Sequence, residues 1–161
     1  MSKLIVILCS LLLSEGLFAN VLWSSKGSTP PRHRNITTES DAPCGSGEKA
    51  TPVQLYSGTN TELEWEEFIP QNGYFEIYFS PANDENWILL KKINNNVMGE
   101  STDLKVHKVN IKLPDVSCDN CTIQIIQTVT GTVDAKYYSC ADISLKGAPN
   151  NNTVKTESCA N

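Results

Sequence analysis

The chain has 161 residues, 40% of them hydrophobic, which is one ordinary domain with enough apolar side chains to build a core. Its formal charge is −5 and its lysines are scattered. That balance argues against nucleic acid and against anionic lipid headgroups as partners.

At the start, Lys3 precedes an apolar run from Leu4 to Leu13, and small residues follow. This is the order of a secretory signal. The run is too short for a transmembrane helix, which takes about 20 residues, and no later stretch reads as a membrane span. Cleavage after Ala19 is expected, with cleavage after Gly16 as the alternative. Removing residues 1–19 takes away one base, Lys3, and one acid, Glu15, so the formal charge stays at −5. Cys9 lacks the small residues a lipoprotein signal places before its cysteine. The expected destination is extracellular.

Residues 20–47 show no sustained period and hold Pro30, Pro31 and Pro43. They read as an extended arm over a sheet, ending in the turn Pro43-Cys44-Gly45. Val53–Ser57 reads as a short strand. Thr61–Phe68 alternates, with Leu63 and Trp65 on one face and Glu62, Glu64 and Glu66 on the other. Such a spacing is what half-burial produces, so the three glutamates read as a solvated strand face rather than as catalytic carboxylates. Tyr74–Ser80 turns Phe75, Ile77 and Phe79 inward. Trp87–Lys92 is a short apolar run, and Asp103–Leu113 alternates again.

The last two runs, Cys121–Thr128 and Lys136–Leu145, flank a polar turn at Gly131 and form the pattern of a half-buried pair. The tail, 146–161, is polar. Seven or so short strands with turn residues between them predict an all-β fold, an immunoglobulin- or fibronectin III-like antiparallel sandwich with an extended N-terminal arm. The domain is expected over 20–145.

After the signal, five cysteines remain: Cys44, Cys118, Cys121, Cys140 and Cys159. In an exported chain they read as disulfides with one left over. The expected pairs are Cys118 with Cys121 and Cys44 with Cys140. Cys159 could instead pair with Cys44 or Cys140, since spacing does not fix connectivity. Cys118-x-x-Cys121 opens a strand rather than a helix, which speaks against a redox pair. It has no second ligand pair nearby for zinc. Three sequons, at Asn35, Asn120 and Asn151, are possible glycosylation sites. Asn120, between two cysteines, is the poorest.

Only two histidines occur, His33 and His107. His107 shares a face with Val109, Ile111 and Leu113, so a packed or edge histidine is expected, and His33 reads as a solvated loop residue. No Ser-His-Asp or Cys-His set can be built on them, and no phosphate-binding glycine loop is present.

The segments Pro43-Cys44-Gly45, Leu113-Pro114-Asp115 before Cys118-x-x-Cys121-Thr122-Ile123-Gln124, and Tyr137-Tyr138-Ser139-Cys140-Ala141-Asp142-Ile143 together resemble the lytic polysaccharide monooxygenase-like superfamily. The resemblance covers roughly 20–145. It implies the sandwich, secretion, and association with an insoluble polysaccharide of the chitin or cellulose class. It also implies a copper ion in a histidine brace, whose ligands are a mature N-terminal histidine and an internal histidine. This sequence departs at both positions. Cleavage after Ala19 exposes Asn20, and Tyr74 follows Gly73 where the second histidine commonly stands. Tyr137 and Tyr138 fall where some relatives place an axial aromatic.

The expected function is therefore a secreted binding protein for a glycan or a surface protein, monomeric, non-catalytic and without a cofactor. Trp23, Tyr74 and Trp87 are the candidate glycan-binding aromatics. The alternatives are an active copper monooxygenase or a copper-binding or transport protein of the same fold. Both need copper, with His33 and His107 as candidate ligands. A second cleavage between Arg32 and His33 would be one route to a new N-terminal histidine.

Overall fold

The computed structural model describes residues 21–32, 41–45, 48–97, 103–131 and 135–147. The signal segment, His33, Asn35, Asn151 and Cys159 lie outside them. Among the described residues there are eight strands and no helix: β1 (Val21–Trp23), β2 (Val53–Tyr56), β3 (Asn60–Glu67), β4 (Gly73–Ser80), β5 (Ile88–Asn95), β6 (Lys105–Lys112), β7 (Cys118–Val129) and β8 (Ala135–Lys146). They form two sheets, one ordered β1-β3-β6 and the other β2-β8-β7-β4-β5.

Alternation along each strand explains why the sheets face each other. Leu63 and Trp65 of β3, Phe75, Ile77 and Phe79 of β4, Ile123 and Ile125 of β7, and Ile143 and Leu145 of β8 are all buried in one core. Each such side chain contributes about 1.5–3 kcal/mol by leaving water. Glu62, Glu64 and Glu66 alternate with the buried positions of β3 and face away from the core.

Two expectations need correcting. The arm does not merely lie over a sheet: its first residues are β1, buried throughout and paired with β3 from Val21↔Glu67 to Trp23↔Trp65. Nor is the sandwich wholly antiparallel, because β2 runs parallel to β8. Ahead of β2, the arm is tied to β8 by the disulfide Cys44–Cys140 and to β7 by the Gln124 side-chain amide donating to the Pro43 carbonyl. Cys118 and Cys121 form the second disulfide, across a register shift in β7.

β4 opens on Gly73 with φ 152°, where a Cβ would lie 1.9 Å from the Thr128 carbonyl oxygen. Only glycine lets β4 and β7 approach this closely. At the far side of the same sheet, β5 has no further strand beside it among the described residues. Lys91 stands opposite inward-facing Ile77 there, yet remains exposed.

Candidate functional site

Two buried polar centres break the apolar interior, on opposite faces of the five-stranded sheet. The first lies between the sheets, at the end where β1 begins. Glu67 is the last residue of β3 and continues the inward face of Leu63 and Trp65, so its carboxylate is carried into the core, at 0% exposure. Its Oε1 accepts from Asn95 Nδ2 (2.7 Å), Gln127 Nε2 (2.9 Å) and the Gln71 backbone N–H (3.1 Å). Its Oε2 is 2.9 Å from His107 Nε2. A carboxylate is an acceptor with about four lone-pair sites; here three donors crowd Oε1 and one reaches Oε2. His107 and Glu67 come from the three-stranded sheet, while Asn95 and Gln127 come from the five-stranded one, so the cluster bridges the layers.

The ring of His107 stacks on Trp65, with centroids 5.2 Å apart and planes 9° from parallel. It also leans on Phe75 at 5.1 Å. Trp65 in turn meets Trp23 edge-on at 6.4 Å. Two buried polar atoms beside this cluster, Gln127 Oε1 and Trp65 Nε1, have no hydrogen-bond partner.

The second centre lies on the outer face. Arg32, 9% exposed, donates through Nε to Asp142 Oδ2 (2.9 Å) and through Nη2 to Asp142 Oδ1 (2.7 Å). It also donates through Nη1 and Nη2 to the two oxygens of Asp84, each at 3.1 Å. Thr122 donates to Asp84 at 2.6 Å, and the Ala50 N–H donates to Asp142 at 2.7 Å. Burial pushes the Asp84 carboxyl upward, but the hydrogen bonds from Arg32 and Thr122 and the charges of Arg32 and Lys49 prevail and hold it below the usual carboxylate range. Burial likewise opposes the Arg32 charge, and its two carboxylates outweigh that. Asp84 sits in a turn where Asn83, Asp84 and Asn86 all have positive φ. This is backbone that the ion pair helps hold.

The candidate residues are scattered. Trp23 is fully buried and belongs to the core, so it is not a surface aromatic. Tyr74 and Trp87 are half-exposed. Tyr74 faces outward under Lys92, whose Nζ lies 3.4 Å from the ring centroid. Tyr137 is buried inside, in register with Gln127, whereas Tyr138 lies half-buried on the other face. Asn120 is exposed, but the hydroxyl of Thr122, the third residue of its sequon, is committed to Asp84. Arg32, the residue before the second cleavage point, is locked on the outer face while His107 is on the inner one. A protease would have to pull a buried guanidinium from two carboxylates to use it.

The family model for copper acquisition factor BIM1-like domains matches residues 27–161. The chain belongs to the BIM1-like copper acquisition factor family. No curated protein is similar to it in sequence. In architecture this BIM1-like domain is similar to an AA10 lytic polysaccharide monooxygenase from Streptomyces lividans, at 15% identity over 70% of this chain and 69% of that one (TM-score 0.48). A cellulose-active polysaccharide monooxygenase from M. thermophila gives 14% identity over 83% and 69% (TM-score 0.49). The AA15 lytic polysaccharide monooxygenase from Thermobia domestica gives 18% over 58% of this chain, which spans 63% of that chain (TM-score 0.46).

The donor set of this BIM1-like domain can be tested against a copper centre. Copper(II) in nitrogen and oxygen sites takes several imidazole or amine ligands in a tetragonal set. His107 is the one imidazole among the described residues, and one of its nitrogens is bonded to Glu67. Oε1 of Glu67 already takes three donors. No three His, Cys, Asp or Glu side chains among the described residues come together to hold a metal. The described side chains do not fit a brace. Glu67 itself was missed by reading the sequence, although extending the alternation of Leu63 and Trp65 by one step would have turned it inward.

Proposed function

We propose that this BIM1-like domain works outside the cell as a binding module that does not oxidise its ligand. The observation supporting this most directly is the site chemistry: Tyr74, where the resemblance would put the second brace histidine, faces outward under Lys92, and His107, the one imidazole among the described residues, is tied to the buried Glu67 carboxylate. The ligand is an insoluble polysaccharide of the chitin or cellulose class, by the resemblance of the Cys118–Gln124 and Tyr137–Ile143 segments. Tyr74 and Trp87 are the half-exposed aromatics available to it. Incubating the secreted protein with chitin and cellulose is expected to deplete it from solution and to leave the polymers unoxidised when copper and a reductant are added. Release of oxidised sugars would sink this reading. Failure to bind either polymer would move the ligand to a surface protein.

A second reading, copper as cargo, is favoured by the family description and by one feature. A histidine that ligates a metal commonly gives its other N–H to a carboxylate, as His107 does to Glu67. Calorimetry of copper(II) into the secreted protein separates the readings. The binding-module reading expects no saturable nanomolar site. A nanomolar site lost in His107→Gln would establish the cargo reading.

A further inference from the structure

We infer that the Glu67 cluster is a metal-free closure of the sandwich end where β1 begins, and that its hydrogen bonds, added to the apolar packing of Val21 and Trp23, seat β1 and pair the sheets there. This rests on the reading that the domain carries no copper brace. Four observations carry it. The carboxylate is fully buried, and a buried carboxylate persists only where hydrogen bonds replace its water. All four donors are present, at 2.7–3.1 Å. They come from both sheets: His107 from β6, Asn95 from β5, Gln127 from β7 and Gln71 from the turn after β3. Val21, the first residue of β1, is the register partner of Glu67 itself.

The closure has a direction. A carboxylate oxygen only accepts, so Nε2 of His107 carries the proton at this contact, and the stack on Trp65 fixes the ring plane. A metal could reach Oε1 of Glu67 only by displacing one of its three donors, leaving a buried N–H without a partner, and on Oε2 it would compete with His107. Every displaced donor belongs to a strand or turn that holds the end shut, so metal entry here and an intact end are alternatives.

The test uses the secreted full chain, wild type, Glu67→Gln and His107→Gln. Thermal unfolding of the wild type is expected to show the same midpoint in excess EDTA and after copper(II) addition. Glu67→Gln keeps the shape but turns one acceptor into a donor facing Asn95 and Gln127. It is expected to lower the midpoint by several degrees and speed amide exchange of Val21 and Trp23 at least tenfold. Wild-type rates in Glu67→Gln would overturn the inference, as would a midpoint that falls with EDTA or rises with copper. Should the variants fail to fold, long-range nitrogen–proton correlation on the wild type decides. The inference expects a protonated, hydrogen-bonded Nε2 of His107 in EDTA and in copper alike, and a copper-broadened or deprotonated Nε2 overturns it. Oxidised sugars released by a protein whose midpoint ignores EDTA would sink the proposed function and leave the closure standing.

Discussion

The two buried centres solve one problem in different ways. Around Arg32, an always-charged guanidinium meets two carboxylates, and the gain is mutual attraction in a poorly screened site. Around Glu67, one carboxylate is surrounded by amide N–H groups and one imidazole, and the gain is hydrogen bonds that replace its lost water. The first clamps the arm, Arg32 and Ala50, onto β8 and the turn at Asp84. The second joins two sheets through elements already held by the core. Removing a member of the first should therefore strand a charge, and removing a member of the second should strand neutral donors.

That difference predicts an order of effects. Asp142→Ala leaves Arg32 with Asp84 alone and frees the Ala50 N–H. It should cost about 3–5 kcal/mol in denaturant unfolding, the range for breaking a buried ion pair. A loss under 1 kcal/mol would show that the guanidinium finds water. Cys44→Ser with Cys140→Ser releases a cross-link spanning 96 residues of sequence and should cost about 2–5 kcal/mol, although mostly through the unfolded chain. Glu67→Gln should cost about 1–3 kcal/mol, the range for unpaired buried donors. Should it exceed Asp142→Ala, the contrast between the two centres collapses.

The pH dependence sharpens the comparison. Asp84 is held below the ordinary carboxylate value in the folded chain. Its contribution is thus complete above about pH 4, the unfolded value for an aspartate, and is lost as pH falls through the folded value. Wild type should lose stability faster than Asp84→Asn as pH drops from about 4, measured by urea midpoints at each pH. Parallel curves would refute the assignment. The smallest effect belongs to the surface pairs of Lys108 with exposed Glu62 and half-buried Glu64, both 3.0 Å. Lys108→Ala should leave the unfolding midpoint in physiological salt unchanged.

Much of the fold was legible because period-2 alternation survives wherever one sheet face is buried. Leu63, Trp65, Phe75, Ile77, Ile123 and Ile143 all face as that period demands. β1 was not legible, since three residues are too few to show a period and Val21, Leu22 and Trp23 are all buried. The parallel direction of β2 was not legible either, because alternation tells which face a residue takes and not which way the neighbouring strand runs. Of the site, Arg32 and Asp142 are 110 residues apart in the chain, and no local pattern joins them. Glu67 could have been found, since it continues the inward period of Leu63 and Trp65, which the reading stopped one step short.

β5 carries a last consequence. Strand edges invite other strands, and a second molecule laying itself along β5 would have to trap the ammonium of Lys91 beneath the new sheet. One lysine aimed at an interior that stops short of it thus serves as a deterrent to fibril-like stacking, and Lys91→Val should make concentrated solutions turn turbid.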